Sequence, residues 1–219
     1  MKKFSKVLSF VLVLLGFAVL EGKAQSEFDY VGKIHNEVLQ EFVNQNKGKK
    51  LTISQVLASV KELTLANEDY KSRFGTKVAE ITESQVKEGM LEYTNKFAGF
   101  ISKLKVSNEA KSKLTNLMTF MYKSKDTKLS YMQIKDFLLA YDAEIKASSL
   151  AQEEKNIIFQ INSVAKSSSK FWLEISADND SRAAVWADIG GGIFGIFFGG
   201  GWAIPGFAIG ASAIALNEK

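Results

Sequence analysis

The feature that most constrains this chain is its close. From Ile189 to Asn217 there are 29 consecutive residues without a charged side chain, bounded by Asp188 and Glu218. Nine of the sixteen glycines lie between 190 and 210. A segment this apolar has to leave water, either into lipid or into the protein's own interior. Its small residues are also spaced. Gly191, Gly195, Gly199, Ala203, Gly206, Gly210 and Ala213 follow one another at steps of three or four, a mean of about 3.7 against the roughly 3.6 residues of a helical turn. Coiled as one helix, the seven share a face.

In water glycine disfavours helix by about 1 kcal/mol relative to alanine. In a bilayer unpaired backbone groups are forbidden, helix is nearly compulsory, and small residues let two helix backbones approach closely. As one helix, residues 189–216 measure about 42 Å, ample for a hydrocarbon core of about 30 Å. Pro205 kinks such a helix. If the chain turns between Gly199 and Gly206 instead, each arm has about a dozen residues, too few to span. The hairpin then lies in the interface or is sheltered by protein. The leading expectation is membrane association through these seven residues, with membrane lipid and a second copy of the tail as partners. The competing expectation is a soluble helical binding or scaffold module whose tail completes its own core.

The other end of the chain reads as an export signal. Met1–Lys6 is cationic, Val7–Leu20 is an apolar run of fourteen, and Gly22-Lys23-Ala24 supplies small residues at −3 and −1 of a cleavage site. Fourteen residues fall short of the roughly 17–25 that a spanning helix needs, although an uncleaved anchor is the alternative. The expectation is a signal peptide over 1–24 and a mature protein that is periplasmic, membrane-associated or secreted. The whole chain has 28 basic and 24 acidic side chains, net +4. Losing Lys2, Lys3, Lys6, Lys23 and Glu21 leaves 24 against 23, so the mature chain is nearly neutral. That balance, with Arg73 and Arg182 the only arginines, excludes a nucleic-acid binder that works by phosphate neutralisation.

Between these ends the apolar period is 3.6 nearly throughout, which predicts an all-α fold. Val31, Ile34, Val38 and Phe42 share one helical face, as do Ile53, Val56, Leu57, Val60 and Leu63. Ile81, Met90, Tyr93, Phe97, Ile101 and Leu104 predict a long helix. Further helices carry Ala110, Leu114, Leu117 and Met121, then Ile134, Phe137, Leu138, Tyr141 and Ile145. The last of the body carries Leu150, Ile157, Ile158, Ile161, Ala165 and Trp172. Thr52-x-x-Gln55, Ser130-x-x-Gln133 and Ser149-x-x-Gln152 have the form of capping boxes, and Asn67, Ser107 and Asp180 of N-caps. The connections are short, so the expected architecture is an antiparallel bundle over 25–180, followed by a glycine-zipper-like hydrophobic tail, helix or helical hairpin, over 181–219.

No reaction is legible. Without cysteine there is no disulfide, thiol nucleophile or Cys metal site. His35 is the only histidine, and one histidine does not make a zinc site. It is expected as a surface or core-edge residue, with a general base or proton-linked switch as the functional alternative. Ser-x-x-Lys recurs at Ser84, Ser102, Ser163 and Ser167 but without the companion acyl-transferase motifs. Asp178-Asn179-Asp180 opens like a calcium loop, yet Ala183 stands where glycine is needed and Ile189 where glutamate is needed. Gly190-x-Gly192-x-x-Gly195 has no preceding strand and is no dinucleotide fingerprint. The chain is therefore expected to be non-enzymatic, with no cofactor and no metal.

The stretch Phe28-Asp-Tyr-Val-Gly-Lys-Ile-His-Asn-Glu-Val-Leu39 resembles the opening of a group of exported Bacteroidota proteins of unknown function. These share a Tyr-x-x-Val/Ile-Gly-x-x-His-Asn-like mature N-terminus and often end in a small-residue tail. Many of them are lipoproteins, a feature that a chain without cysteine lacks. The resemblance implies location and architecture and no activity. In plan only, a bundle with an apolar tail is also similar to pore-forming colicin domains, in which helices shelter an apolar hairpin until it meets lipid.

Overall fold

The computed structural model describes residues 27–78, 80–85, 97–175, 181–198 and 203–217. The expected signal peptide, the middle of the helix predicted over 81–104, the Asp178–Asp180 turn and Gly199 lie outside these residues. All regular structure among the described residues is helical. In chain order the helices are α1 (Asp29–Asn46), α2 (Ile53–Ala66), α3 (Glu68–Phe74), α4 (Asn108–Asp126), α5 (Tyr131–Ala147), α6 (Gln152–Lys170), α7 (Ser181–Phe198) and α8 (Ile204–Asn217). Residues 83–85 and 97–102, the described ends of the long predicted helix, are helical, and the chain leaves helix before Leu104.

Local chemistry sets most of the helix starts. Thr52 and Ser130 form complete capping boxes with Gln55 and Gln133. Asn67 and Ser107 accept from the backbone of Tyr70 and Ala110. The Ser107 N–H and hydroxyl are taken in turn by Glu154 of α6, which does from another helix what a capping-box glutamate does from its own. The box expected at Ser149 is absent. Here α6 starts at Gln152 with Ala151 as its uncapped N-cap, and the Ser149 hydroxyl donates to Glu109 at 2.6 Å instead. Glu153 and Glu154 in the first turn complement the helix dipole in its place.

The consecutive pairs α4–α5 and α5–α6 each run in opposite directions. Lys113–Glu144 and Phe120–Phe137 fix this for α4 and α5. Lys155 to Lys146 and Asn162 to Leu138 fix it for α5 and α6. The pair α1 and α6, distant in sequence, runs parallel. Phe28 stacks on Phe159, the Gly32 N–H donates to Ser163 Oγ at 3.0 Å, and Asn36 Nδ2 donates to the Ser167 carbonyl at 2.8 Å. These are matched i, i+4 rows on both helices. Glycine is required at 32 because a Cβ there would lie 2.3 Å from the Ser163 carbonyl oxygen. The Phe28 carbonyl accepts the Val31 N–H, and the Ser163 hydroxyl takes the Gly32 N–H that follows it.

The tail forms two helices that lie at the centre of the fold. Gly191 meets Phe207, Ala208 and Ala211, while Gly195 meets Ala203 and Ile204, so α7 and α8 form a hairpin with opposed directions. Two apolar clusters make up the core. One joins Val31 and Leu39 of α1 with α4, α5, α6, α7 and the start of α8. The other joins Ile34, Val38 and Phe42 of α1 with Val56 and Val60 of α2, Tyr70 of α3, and Ile209, Ala213 and Ile214 of α8. Besides α1, it is the hairpin that links them. A helix apolar all round belongs in such an interior, and Ile189, Ile204 and Ile209 are fully buried.

Candidate functional site

The small-residue stripe is divided by the turn between α7 and α8. Gly191 and Gly195 on α7 face α8, where a Cβ at 191 would sit 2.5 Å from the Phe207 carbonyl oxygen and one at 195 would sit 2.9 Å from Ile204 Cα. Ala203, just before α8, also meets Gly195, and Ala213 packs in the cluster with α1 and α2. Gly210 points elsewhere, toward Ile81 and Leu57 at an ordinary 3.6 Å. Gly206 lines a half-open crevice of about 330 Å³ between α2 and residues 78 and 80–83. Close backbone approach is made at Gly191 and Gly195, within the hairpin and between its own two arms. Pro205 falls in the first turn of α8, where its missing N–H costs no helical hydrogen bond.

The crevice has apolar walls from Leu57, Val60, Val78 and Ile81. At its rim Lys61 pairs with Glu80 and Ser54 donates to Glu83, while the buried Thr64 hydroxyl in its lining has no hydrogen-bond partner. Nothing converges on a point where a reacting group could be held.

The chemically distinctive constellation is where α1, α6 and α7 meet. His35 and Asp188 are both 0% exposed, with His35 Nε2 3.3 Å from Asp188 Oδ1. Neither atom has another hydrogen-bonding partner, so this is an ion-pair contact rather than a well-aligned hydrogen bond. The other carboxylate oxygen, Oδ2, accepts from the Ser168 hydroxyl and, at 3.1 Å, from Trp172 Nε1. Trp172 occupies the widened π-turn Phe171–Ile175 that ends α6. On the far side of the ring, His35 Nδ1 is 2.9 Å from Asn36 Oδ1.

The Asn36 amide is itself oriented, because its Nδ2 donates to the Ser167 carbonyl. His35 thus faces an acceptor at each nitrogen, an arrangement that favours the doubly protonated ring over either neutral tautomer. Burial alone disfavours that charge, but the Asp188 carboxylate and the Asn36 bond more than offset it, raising the His35 pKa above the ordinary histidine value.

His35 is therefore corrected from a surface or core-edge residue to a core residue. With both nitrogens engaged and the ring sealed from solvent, it offers a substrate neither a free lone pair nor an approach. The arrangement can hold a charge in the core and fasten three helices to each other. It cannot act as an open general base.

A second polar cluster lies beside it on α6. Lys166 Nζ contacts Asp29 at 2.7 Å and Asp142 at 3.0 Å, and Asn162 donates to Asp142 and to the Leu138 carbonyl. Burial lowers the Lys166 pKa, the two carboxylates raise it, and the net shift is upward. Ser163 and Lys166, one of the Ser-x-x-Lys pairs, are thus spent on α1 and α5. Among the described residues no group of three or more His, Asp or Glu is placed to hold a metal ion, and no helix is long and apolar enough to cross a membrane.

Sequence reading missed Asp188, Ser168 and Trp172. A signal was present: Asp188 is the last charge before the uncharged run, and an acid at the mouth of a buried helix needs a cation. Gly32, His35 and Asn36 are among the residues that join α1 to α6 and α7. Comparison of the chain with family models, curated proteins and solved structures finds no match.

Proposed function

We propose that this chain is an exported, non-enzymatic helical module that carries its apolar hairpin inside its own core, where it links two sets of helices into one binding or scaffold body. The observation that carries the reading is the burial of the hairpin: from Asp188 to Ile214, the described side chains other than the half-buried Ile196 are withdrawn from solvent. Gly191 and Gly195 spend their missing side chains on α8 rather than on a second molecule. On this reading the full exported chain, residues 25–219, purifies without detergent as a monodisperse monomer and leaves membranes on carbonate washing. Retention in the carbonate-washed pellet, or a requirement for detergent, overturns it.

A second reading, that the hairpin inserts into lipid when the bundle opens, is favoured by one particular observation. The two arms pack mainly on each other through backbone contacts at Gly191 and Gly195, so they can move as a unit with that interface intact. Conductance across a planar bilayer exposed to residues 25–219 supports this reading, and its absence removes the pore-forming version. A chain ending at Asp188 is a poor control, because it deprives both apolar clusters of α8.

A further inference from the structure

Among the described hairpin side chains, Asp188 is the only ionisable one reported buried, and it sits where α7 enters the core. Among the described side chains its one charged partner is His35 of α1, the single histidine of the chain. Everything else that meets the carboxylate is neutral: Ser168 and Trp172 from the α6 side. The remaining charges nearby are otherwise engaged. Lys33 and Glu37, on either side of His35 along α1, pair with each other on the exposed face, where Lys33 also meets Asp69 of α3. Lys166 of α6 is held by Asp29 and Asp142, and α8 contributes no acid or base from Ile204 to Asn217. Lys61 of α2 pairs with Glu80 at the surface. Among the described side chains no second cation is therefore placed to replace a charged His35. A neutral His35 leaves a carboxylate buried with two neutral donors and no counter-charge, which is the costly half of a broken ion pair.

We propose that the His35–Asp188 pair is a protonation latch on the hairpin: with His35 charged, α7 is fastened to α1 and α6, and with His35 neutral the hairpin loosens from both. This goes beyond the function proposed above and holds whether the hairpin stays in the core or meets lipid. The direction follows from linkage. A folded-state pKa above the ordinary histidine value means that the contribution is fully present below that ordinary value and is lost as pH rises through the raised one. The latch is closed in acid and opens on the alkaline side. Lys166, whose pKa is also raised from the ordinary lysine value, keeps its charge through this window.

The test uses the full exported chain with 13C-labelled histidine, whose single ring gives a single resonance. Amide hydrogen exchange is measured in parallel from about pH 6 to about pH 9.5 and expressed as protection factors, which remove the intrinsic pH dependence of exchange. The resonance is expected to titrate above about 6.5, and protection of α7 and α8 to fall about tenfold per pH unit between that value and the observed midpoint, then level off. Helices α4 and α5 should show no such fall. In the paired variant His35→Gln/Asp188→Asn, which removes both charges at nearly constant shape, hairpin protection should no longer depend on pH. A resonance titrating at or below the ordinary value, or flat wild-type protection, overturns the proposal. So does a loss shared equally by α4 and α5, or a folded paired variant that keeps the wild-type profile. If the paired variant fails to fold, the wild-type titration and exchange profile decide alone.

Discussion

Replacing Gly191 by alanine, with Gly210→Ala beside it, tests whether the hairpin is packed backbone to backbone. Both residues are helical, so alanine at either position gains about 1 kcal/mol of helix propensity. What differs is the space. At 191 the new Cβ would lie 2.5 Å from the Phe207 carbonyl oxygen and 3.0 Å from Ala208 Cα, atoms of the opposite helix that move only if the helix moves. At 210 it would meet only Ile81 Cδ1 and Leu57 Cδ2 at 3.6 Å, ordinary contacts at the ends of flexible side chains. Overpacking a close-packed site costs about 1–3 kcal/mol, and the upper part of that range applies where backbone is struck.

The net expectation is a loss of about 1–2 kcal/mol for Gly191→Ala and a gain approaching 1 kcal/mol for Gly210→Ala. For a chain of this size that corresponds to a melting temperature lowered by about 2–8 °C in the first and raised by about 2–4 °C in the second. The assay is thermal unfolding followed by far-ultraviolet circular dichroism, checked by urea titration, without detergent. Shifts of the same sign, or stabilisation at 191, would refute the close approach of α7 and α8 on which the buried hairpin rests.

Other perturbations probe the surrounding structure. Lys166→Met leaves Asp29 and Asp142 facing each other without their shared cation and should cost about 2–4 kcal/mol in urea unfolding, with most of the loss recovered when Asp142 is also replaced by Asn. Ser130→Ala and Thr52→Ala each remove a complete capping box and should cost about 1 kcal/mol, whereas Ser149→Ala, two residues outside the start of α6, should stay within about 0.5 kcal/mol by the same measurement. Burial pushes the Tyr70 hydroxyl up to about 12, and it donates to the Lys77 carbonyl. In an ultraviolet titration this phenol should ionise later than exposed tyrosines, as should the more deeply buried Tyr141, and Tyr70→Phe should reduce the late component by one group at a cost of about 1 kcal/mol.

Much of the fold was legible because helix formation is local. The apolar faces of α1, α2, α4, α5 and α6 are stated by residues three and four apart, and the hydroxyls of Thr52, Ser107 and Ser130 mark their starts within one turn. Ser149 shows where that reasoning stops. Its spacing to Gln152 is right for a box, but Glu109 of α4 claims the hydroxyl and the helix begins later. The junction at His35 was not legible, for a similar reason. Its partners come from positions far away in sequence, and no periodicity records that an imidazole on α1 and a carboxylate on α7 will share one dry site.

The sequence by itself determined that this protein would be helical, that its last 29 uncharged residues would have to leave water, and that small residues among them would permit close helix contact. Those are consequences of hydrogen bonding within a turn and of side-chain size, which act over a few residues. Only the tertiary structure decided what the helix pair would press against. By folding at the break after Phe198, the tail meets itself at Gly191 and Gly195 and enters the bundle. Among the described residues, the fully buried His35–Asp188 contact falls where that hairpin joins the helices around it, because a lone core carboxylate is tolerable only beside a group that can carry the opposite charge.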